Sequence, residues 1–382
     1  MDYFYTDDQK MLRDSVRKYA EGSILPAAAA IDRDDAFPRE IYRGMADLGL
    51  FGVSLAEAAG GSGLDTTAAC IAMEEIARCS GSVGNMFAIP VEAAQLLHEH
   101  GNDFHKSWIP KILDGSVISA TAVTEPDAGS DVAGMRTIAT LEGDEYVISG
   151  TKAWVTFGSI FDFIMVFAKT SRDPGQHNIS CFLVEGDRKG IVRGRNEALM
   201  GMHGLEDCQV TFDGVRIPAR NRLGPENRAF KMAMSNFNFS RLMMSSMALG
   251  MARAAYEDGY AYAKDRRQFG GPIFNFQAIQ FMLADMSMDI AAARLLIHHA
   301  ARLFDAGQSI AKEAAHAKLF TTDMAMKHVS NALQIHGGAG YSSHFRIERI
   351  FRDVRLAQIY EGTNQIQRLI IARQIDKEMS SS

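Results

Sequence analysis

The sequence predicts an α+β protein, mainly α, built as an N-terminal helical domain, a central β domain and a C-terminal four-helix bundle. Three observations carry this. Apolar residues recur at helical spacing up to about residue 118. The texture then switches to short apolar runs punctuated by turn residues. From about Asn227 the helical period returns and holds to the end. The boundaries follow as 1–118, 119–226 and 227–382.

In the first domain, Thr6 and Gln9 stand at capping-box spacing, followed by Met11, Leu12, Val16, Tyr19 and Ala20 on one helical face. Amphipathic stretches at Ile41 to Leu50, Thr66 to Cys79, Pro90 to His100 and Phe104 to Leu113 continue it, joined by glycine-rich turns. The β domain is read from "EYVISG", "AWVTF", "FIMVFAKT" and "ISCFLVE", separated by "EGDE" and "DPGQ". The last domain holds four long helical segments beginning near Ala229, Phe276, Ile310 and Gln365, rich in Ala, Met and Leu. Its many methionines read as adaptable core filling.

A chain of 382 residues, 47% hydrophobic, buries large cores. Its net charge of -6 is spread without a basic block, which argues against a nucleic-acid footprint. Cys70, Cys79, Cys181 and Cys208 lie far apart without metal-ligand spacing, so reduced thiols are expected and no metal site. The acidic, polar start "MDYFYTDDQKMLRDSV" has neither a signal nor a transit pattern, and no run reaches the roughly 18 apolar residues of a membrane span. A cytoplasmic location is expected.

Individually, the motifs have ordinary readings. "GGSGLD", "DAGSD" and "HGGAGY" match neither GxGxxG after a strand nor GxxxxGK, and each alone reads as a turn. "RRQFGGP" alone reads as a basic helix end with a glycine stop. Ser130 lacks the GxSxG context of a hydrolase nucleophile, and the histidines form no metal-ligand pair with an acidic helper. Glu361, in "LAQIYEGTNQIQRLIIARQI", stands before a helix, where a carboxylate complements free N–H groups.

The order of these stretches is informative. "AVTEPDAGSD" at the start of the β domain, "KAWVT" after it, "RRQFG" between two C-terminal helices, "QIHGGAGY" at a helix end and "IYEGTNQIQ" last resemble the signature series of the acyl-CoA dehydrogenases, over almost the whole chain. That resemblance implies a homotetramer with a central β barrel, one FAD per subunit, and oxidation of an acyl-CoA thioester to the 2-enoyl-CoA, with electrons passed to an electron-transferring flavoprotein. It implies that Glu361 is the base that takes the α-proton while the β-hydride goes to the flavin N5. A thioester α-proton demands a partly desolvated base with a raised pKa.

The same resemblance implies that Thr124 and Thr156 hydrogen-bond the flavin ring with Trp154 beside it, and that Ser130 lies where cofactor and pantetheine meet. Arg266, Gln268 and Gln277 match positions that hold the pyrophosphate and adenosine of a neighbouring subunit's FAD. So do Gln334, Ile335, His336, Gly337 and Gly338, with Thr363 and Gln365 completing the set. On the substrate side stand Asn238, Arg241 and Gly362, the last allowing close backbone approach.

Three departures from the family pattern matter. Ser240 occupies the position where isovaleryl and long-chain members carry their base, which leaves Glu361 for the role. Asn238 replaces a frequent Asp. Val83 replaces the Arg of glutaryl-CoA members, which disfavours dicarboxylic substrates. If Val83 and Phe87 point into the acyl cavity, acyl groups of about four to six carbons are expected, since a packed interior does not absorb extra methylenes; the alternative is that Phe87 packs between helices. Same-fold chemistry of another kind, as in an acyl-CoA oxidase or a desulfinase, and a non-catalytic helical assembly are the competing readings.

Overall fold

The computed structural model describes residues 5–171 and 178–380. The N-terminal part comprises α1 (Asp7–Tyr19), α2 (Leu25–Asp34), α3 (Arg39–Asp47), α4 (Thr66–Cys79), α5 (Gly81–His100), α6 (Asp103–Lys106) and α7 (Ile109–Leu113). The expected capping box opens α1: Gln9 N–H donates to Thr6 Oγ1 at 3.2 Å, and Gln9 Oε1 accepts from Thr6 N–H at 3.1 Å. Two elements differ from the sequence reading. Helix α5 begins at Gly81 rather than Pro90 and passes through the proline. Every residue from Gly81 to Ala88 is buried, and this packing outweighs the one backbone bond that Pro90 removes. The helix expected over Phe104 to Leu113 is split in two at Ser107 and Trp108, and Pro110 stands in the first turn of α7, where its missing N–H costs no helical bond.

Among the described residues the middle part is one eight-stranded sheet. Its strands are β1 (Ser119–Ala122), β2 (Ile138–Glu142), β3 (Glu145–Val155), β4 (Phe163–Lys169), β5 (Ile179–Glu185), β6 (Ile191–Asn196), β7 (Cys208–Pro218) and β8 (Arg222–Leu223). They are ordered β6-β7-β3-β2-β4-β5-β8, with β1 beside β4. "EYVISG" and "AWVTF" form a single strand, β3, bent at Gly150, where a Cβ would meet the Thr137 main chain at 2.6 Å and the register against β7 slips. Among the described residues the expected barrel does not close: β8 is two residues long and pairs only with β5, so the sheet ends β6 and β8 are not joined.

The C-terminal part holds α8 (Ala229–Asp265), a small hairpin of β9 (Arg267–Gln268) and β10 (Gly271–Pro272), then α9 (Gln277–Asp305), α10 (Ala311–His336), α11 (Ile347–Leu356) and α12 (Asn364–Ser380). The four long helices start within one residue of their expected positions, and α10 packs against α8, α9 and α12. Met73, Met86, Met243, Met247 and Met251 fill the joint between α8 and the N-terminal helices, as core. Across that joint runs a buried ion cluster. Arg294 Nε donates to Glu74 Oε2 at 3.0 Å, while Arg253 Nη1 and Arg17 Nη2 reach Glu75 Oε1 at 2.7 and 2.8 Å. Despite burial, Arg294 and Arg253 bring the Glu74 carboxyl down to about 2. No helix among the described residues is long and apolar enough to cross a membrane.

Candidate active site

Glu361 lies in the short connection between α11 and α12, and its backbone is left-handed, φ 53°. A non-glycine residue there is strained and persists only when its surroundings hold it. They do. Lys318 Nζ, from the buried face of α10, donates to Gly362 O at 2.9 Å and to Asn364 Oδ1 at 2.8 Å. Gln367 Nε2 donates to Gly362 O at 2.8 Å and to Glu361 O at 3.2 Å. Asn364 Nδ2 donates to Asp323 Oδ1 at 2.7 Å, tying the connection to α10 a second time. Gly362 has φ 84°, and a Cβ on it would meet Gln367 Nε2 at 2.8 Å. The glycine is therefore demanded by the chain's own geometry. Thr363 Oγ1 accepts from Ile366 N–H at 3.3 Å and caps α12, and Gln365 is exposed beside it.

Burial is the largest influence on the Glu361 carboxyl and pushes its pKa up; Ser240, then Arg241 and Lys318, oppose it. The result is a desolvated carboxylate with two cations that favour its charged form. Arg241 in turn donates from Nη1 to Asn238 Oδ1 at 2.7 Å, so the asparagine orients the guanidinium. The same desolvation acts on Lys318, whose pKa falls to about 8.

The residues expected around a flavin fall into two groups. On the β domain, Ala153 N–H donates to Thr124 O at 3.0 Å, placing Thr124 next to Trp154, whose indole is 60% exposed on a left-handed backbone, φ 55°. Thr156 Oγ1 donates to Asp207 Oδ2 at 3.2 Å, and Ser130 is exposed in the loop between β1 and β2. Lys152, fully buried, pins that loop by donating to Glu125 Oε1 at 2.9 Å and Val123 O at 3.0 Å. An open indole face with threonine hydroxyls around it fits a flat, polar-edged ring system.

The second group is at the far ends of α8 and α10. Arg266 and Gln268 are exposed on either side of the start of the β9/β10 hairpin, whose tip, Phe269, is 95% exposed, and Gln277 opens α9, also exposed. Gln334, Gly337 and Gly338 are exposed, and a Cβ at either glycine would meet nothing. Ile335 and His336 turn inward: His336 stacks on Tyr262 with ring centroids 4.4 Å apart and its Nδ1 bonds Ala332 O at 2.7 Å. These two can offer a ligand only backbone. A guanidinium beside open glycine backbone fits a diphosphate. Eighteen residues of α10, about 27 Å of helix, separate Lys318 beside Glu361 from His336, so this group stands far from Glu361 within one subunit.

Two residues of the site gave no signal in the sequence. Lys318 sits in an ordinary helical pattern, and only its zero exposure marks it. Glu92, midway along α5, neighbours Glu361 and Ser240, and burial together with the Glu361 charge drives its pKa well up. Phe87, expected at the end of an acyl cavity, has 0% exposure and belongs to the large helical core, as does Val83.

Known proteins agree with this architecture. The acyl-CoA dehydrogenase N-terminal, middle and C-terminal domain families match residues 6–116, 120–215 and 227–375. An acyl-CoA dehydrogenase of Bacillus subtilis is 40% identical over 370 residues, covering 96% of this chain and 98% of the relative. A caffeyl-CoA reductase-Etf complex subunit of Acetobacterium woodii is 36% identical over 378 residues, covering 98% and 100%. The structure of butyryl-CoA dehydrogenase from Megasphaera elsdenii superposes with a TM-score of 0.95 at 34% identity, over 98% of this chain and 100% of that one. The chain belongs to the acyl-CoA dehydrogenase family, and with it to the FAD-dependent flavoprotein oxidoreductases.

Proposed function

We propose that the protein catalyses FAD-dependent α,β-dehydrogenation of an acyl-CoA thioester to the 2-enoyl-CoA, with Glu361 removing the α-proton. The observation that carries this is a desolvated carboxylate on a clamped, left-handed backbone, with Arg241 and Lys318 favouring its charged form. Desolvation raises its basicity towards that of the weakly acidic α-carbon, and the clamp fixes its position. FAD, when bound, supplies acceptance of the β-hydride. Thr124, Thr156 and Trp154 would hold its ring, with Ser130 at the pantetheine entrance. Asn238 acts through Arg241, the Glu361 N–H would donate to the thioester carbonyl, and Gly362 allows its close approach.

Because Gln334 and the Gly337–Gly338 backbone stand at the end of α10, about 27 Å along that helix from Lys318, with Arg266, Gln268 and Gln277 grouped at the same end, they would serve the FAD of a neighbouring subunit. A homotetramer supplies that neighbour. Phe281, Met288 and Leu295 form an apolar stripe at seven-residue intervals on α9, each at least half exposed, and beside it α9 and α10 flank an apolar groove of 530 Å³. Domain limits of 1–118, 119–226 and 227–382, a barrel-like β domain, a cytoplasmic location and electron delivery to an electron-transferring flavoprotein belong to the same reading. Anaerobic bleaching of the flavin by saturated acyl-CoA thioesters tests it. The similarity to a caffeyl-CoA reductase-Etf subunit favours a second direction for the same site, in which protonated Glu361 delivers the α-proton to a 2-enoyl-CoA.

A further inference from the structure

Helix α5 is core along most of its length. From Gly81 to Leu97 only Ile89, Glu92 and Gln95 are partly rather than fully buried, at a spacing of three that puts them on one face. A glutamate there is unusual, because an acidic group buried without a cation is costly. Glu92 has none: the groups that act on its carboxyl are Glu361 and Ser240, while Arg241 and Lys318 act on Glu361. Ser240 Oγ, on α8 and only 1% exposed, influences both carboxyls and has no hydrogen-bonding partner of its own. Gln95 Oε1, one turn along from Glu92, is also buried and unpartnered. Tyr360, next to Glu361, feels both carboxylates, and its hydroxyl reaches only Met247 Sδ at 3.6 Å. Among the described residues, the Ser240 hydroxyl and Gln95 Oε1 thus have nothing of the protein to bond.

Two carboxyls with such different surroundings divide their roles. Burial pushes both pKa values up, but Arg241 and Lys318 oppose the rise at Glu361, whereas the Glu361 charge adds to it at Glu92, so Glu92 is the carboxyl that favours its protonated form. A neutral carboxylic acid is not a base; it is a hydrogen-bond donor. A hydrocarbon chain laid against it leaves that donor and the Ser240 hydroxyl unsatisfied, whereas an oxygen on the chain can accept from them. We propose that Glu92 is a specificity-determining residue, a hydrogen-bond donor that selects CoA thioesters whose acyl chain carries a hydrogen-bond-accepting oxygen a few carbons beyond the thioester over plain hydrocarbon chains. This rests on the acyl group lying against Glu361, as in the function proposed above.

The test compares hexanoyl-CoA with its near-isostere 4-methoxybutyryl-CoA and with 4-oxohexanoyl-CoA. Anaerobic reductive rates are measured on the holoenzyme, and dissociation constants by flavin difference spectra on Glu361→Gln, where no turnover is needed. The expected result is that the oxygenated thioesters are favoured over hexanoyl-CoA by about 10- to 100-fold in both measurements. Glu92→Leu should abolish or reverse the preference, while Glu92→Gln, which still donates, should retain most of it, with flavin content reporting that each variant is folded. Equal or better binding of hexanoyl-CoA in the Glu361→Gln protein, unchanged by Glu92→Leu, would overturn the proposal. If no thioester reduces the flavin, the dehydrogenase reading fails, and the binding ratio still decides the role of Glu92.

Discussion

Lys318 Nζ reaches across from α10 to the carbonyl oxygen of Gly362 at 2.9 Å, so the residue after Glu361 is held by the cation that also favours the Glu361 charge. Lys318→Met keeps the side-chain length but loses both hydrogen bonds and the charge. Because the lysine opposes the burial-driven rise at Glu361, its removal lets that pKa climb further. The acidic limb of the pH profile of kcat/KM should therefore move to higher pH. The clamped connection should also lose about 1 to 3 kcal/mol of stability as its partners go unpaired. A pH–rate profile unchanged in position would separate Lys318 from the base.

Asp353 gives a pH prediction of a different kind. Its Oδ1 accepts from Met202 N–H at 2.6 Å, yet burial raises its pKa to about 6 from 3.8. The folded protein thus binds this proton more tightly than the unfolded chain. The contribution to stability is present in full below about pH 4 and is lost as pH rises through 6. Asp353→Asn should flatten that part of the stability curve, removing a dependence of about 1 to 3 kcal/mol between pH 4 and 7. Urea unfolding across that range checks it; an identical slope in wild type and variant contradicts it.

Phe87→Ala should behave as a core deletion. The ring has 0% exposure within the helical core, so its loss should cost about 3 to 5 kcal/mol and leave the preference for acyl length where it was. A shift of kcat/KM toward longer chains in a folded variant would return Phe87 to the acyl cavity.

Arg266→Ala should weaken retention of FAD and loosen the assembly together, since a cofactor bound across subunits stabilises the assembled state by mass action. Flavin content and sedimentation at several protein concentrations report both. Loss of one without the other would place Arg266 outside a shared site.

Much of this was legible in the sequence, for reasons particular residues make plain. The four long C-terminal helices and the capping box of Thr6 and Gln9 are local patterns, and local patterns survive folding. Helix α5 starts earlier than its sequence suggests because Pro90 signals a boundary locally, while burial of everything from Gly81 to Ala88 overrules it. Helix α11 is too short for its period to stand out along the chain. The order of motifs pointed to Glu361, yet its left-handed backbone and the Lys318 clamp come from residues more than forty positions apart. Glu92 and Ser240 meet Glu361 only through the packing of α5 on α8, which no spacing along the chain encodes. Phe87 shows the converse: a residue in a suggestive stretch faced the core.

The central claim is that Glu361 is the base, and stopped-flow reduction of the flavin under anaerobic conditions tests it most directly. Wild type and Glu361→Gln are each mixed with saturated acyl-CoA thioesters, after flavin content and assembly are found equal. The account predicts that bleaching slows by at least about 10²- to 10⁴-fold in the variant while the thioester still binds, because a positioned base contributes on that scale. Bleaching of Glu361→Gln at close to the wild-type rate would contradict it and place the base elsewhere.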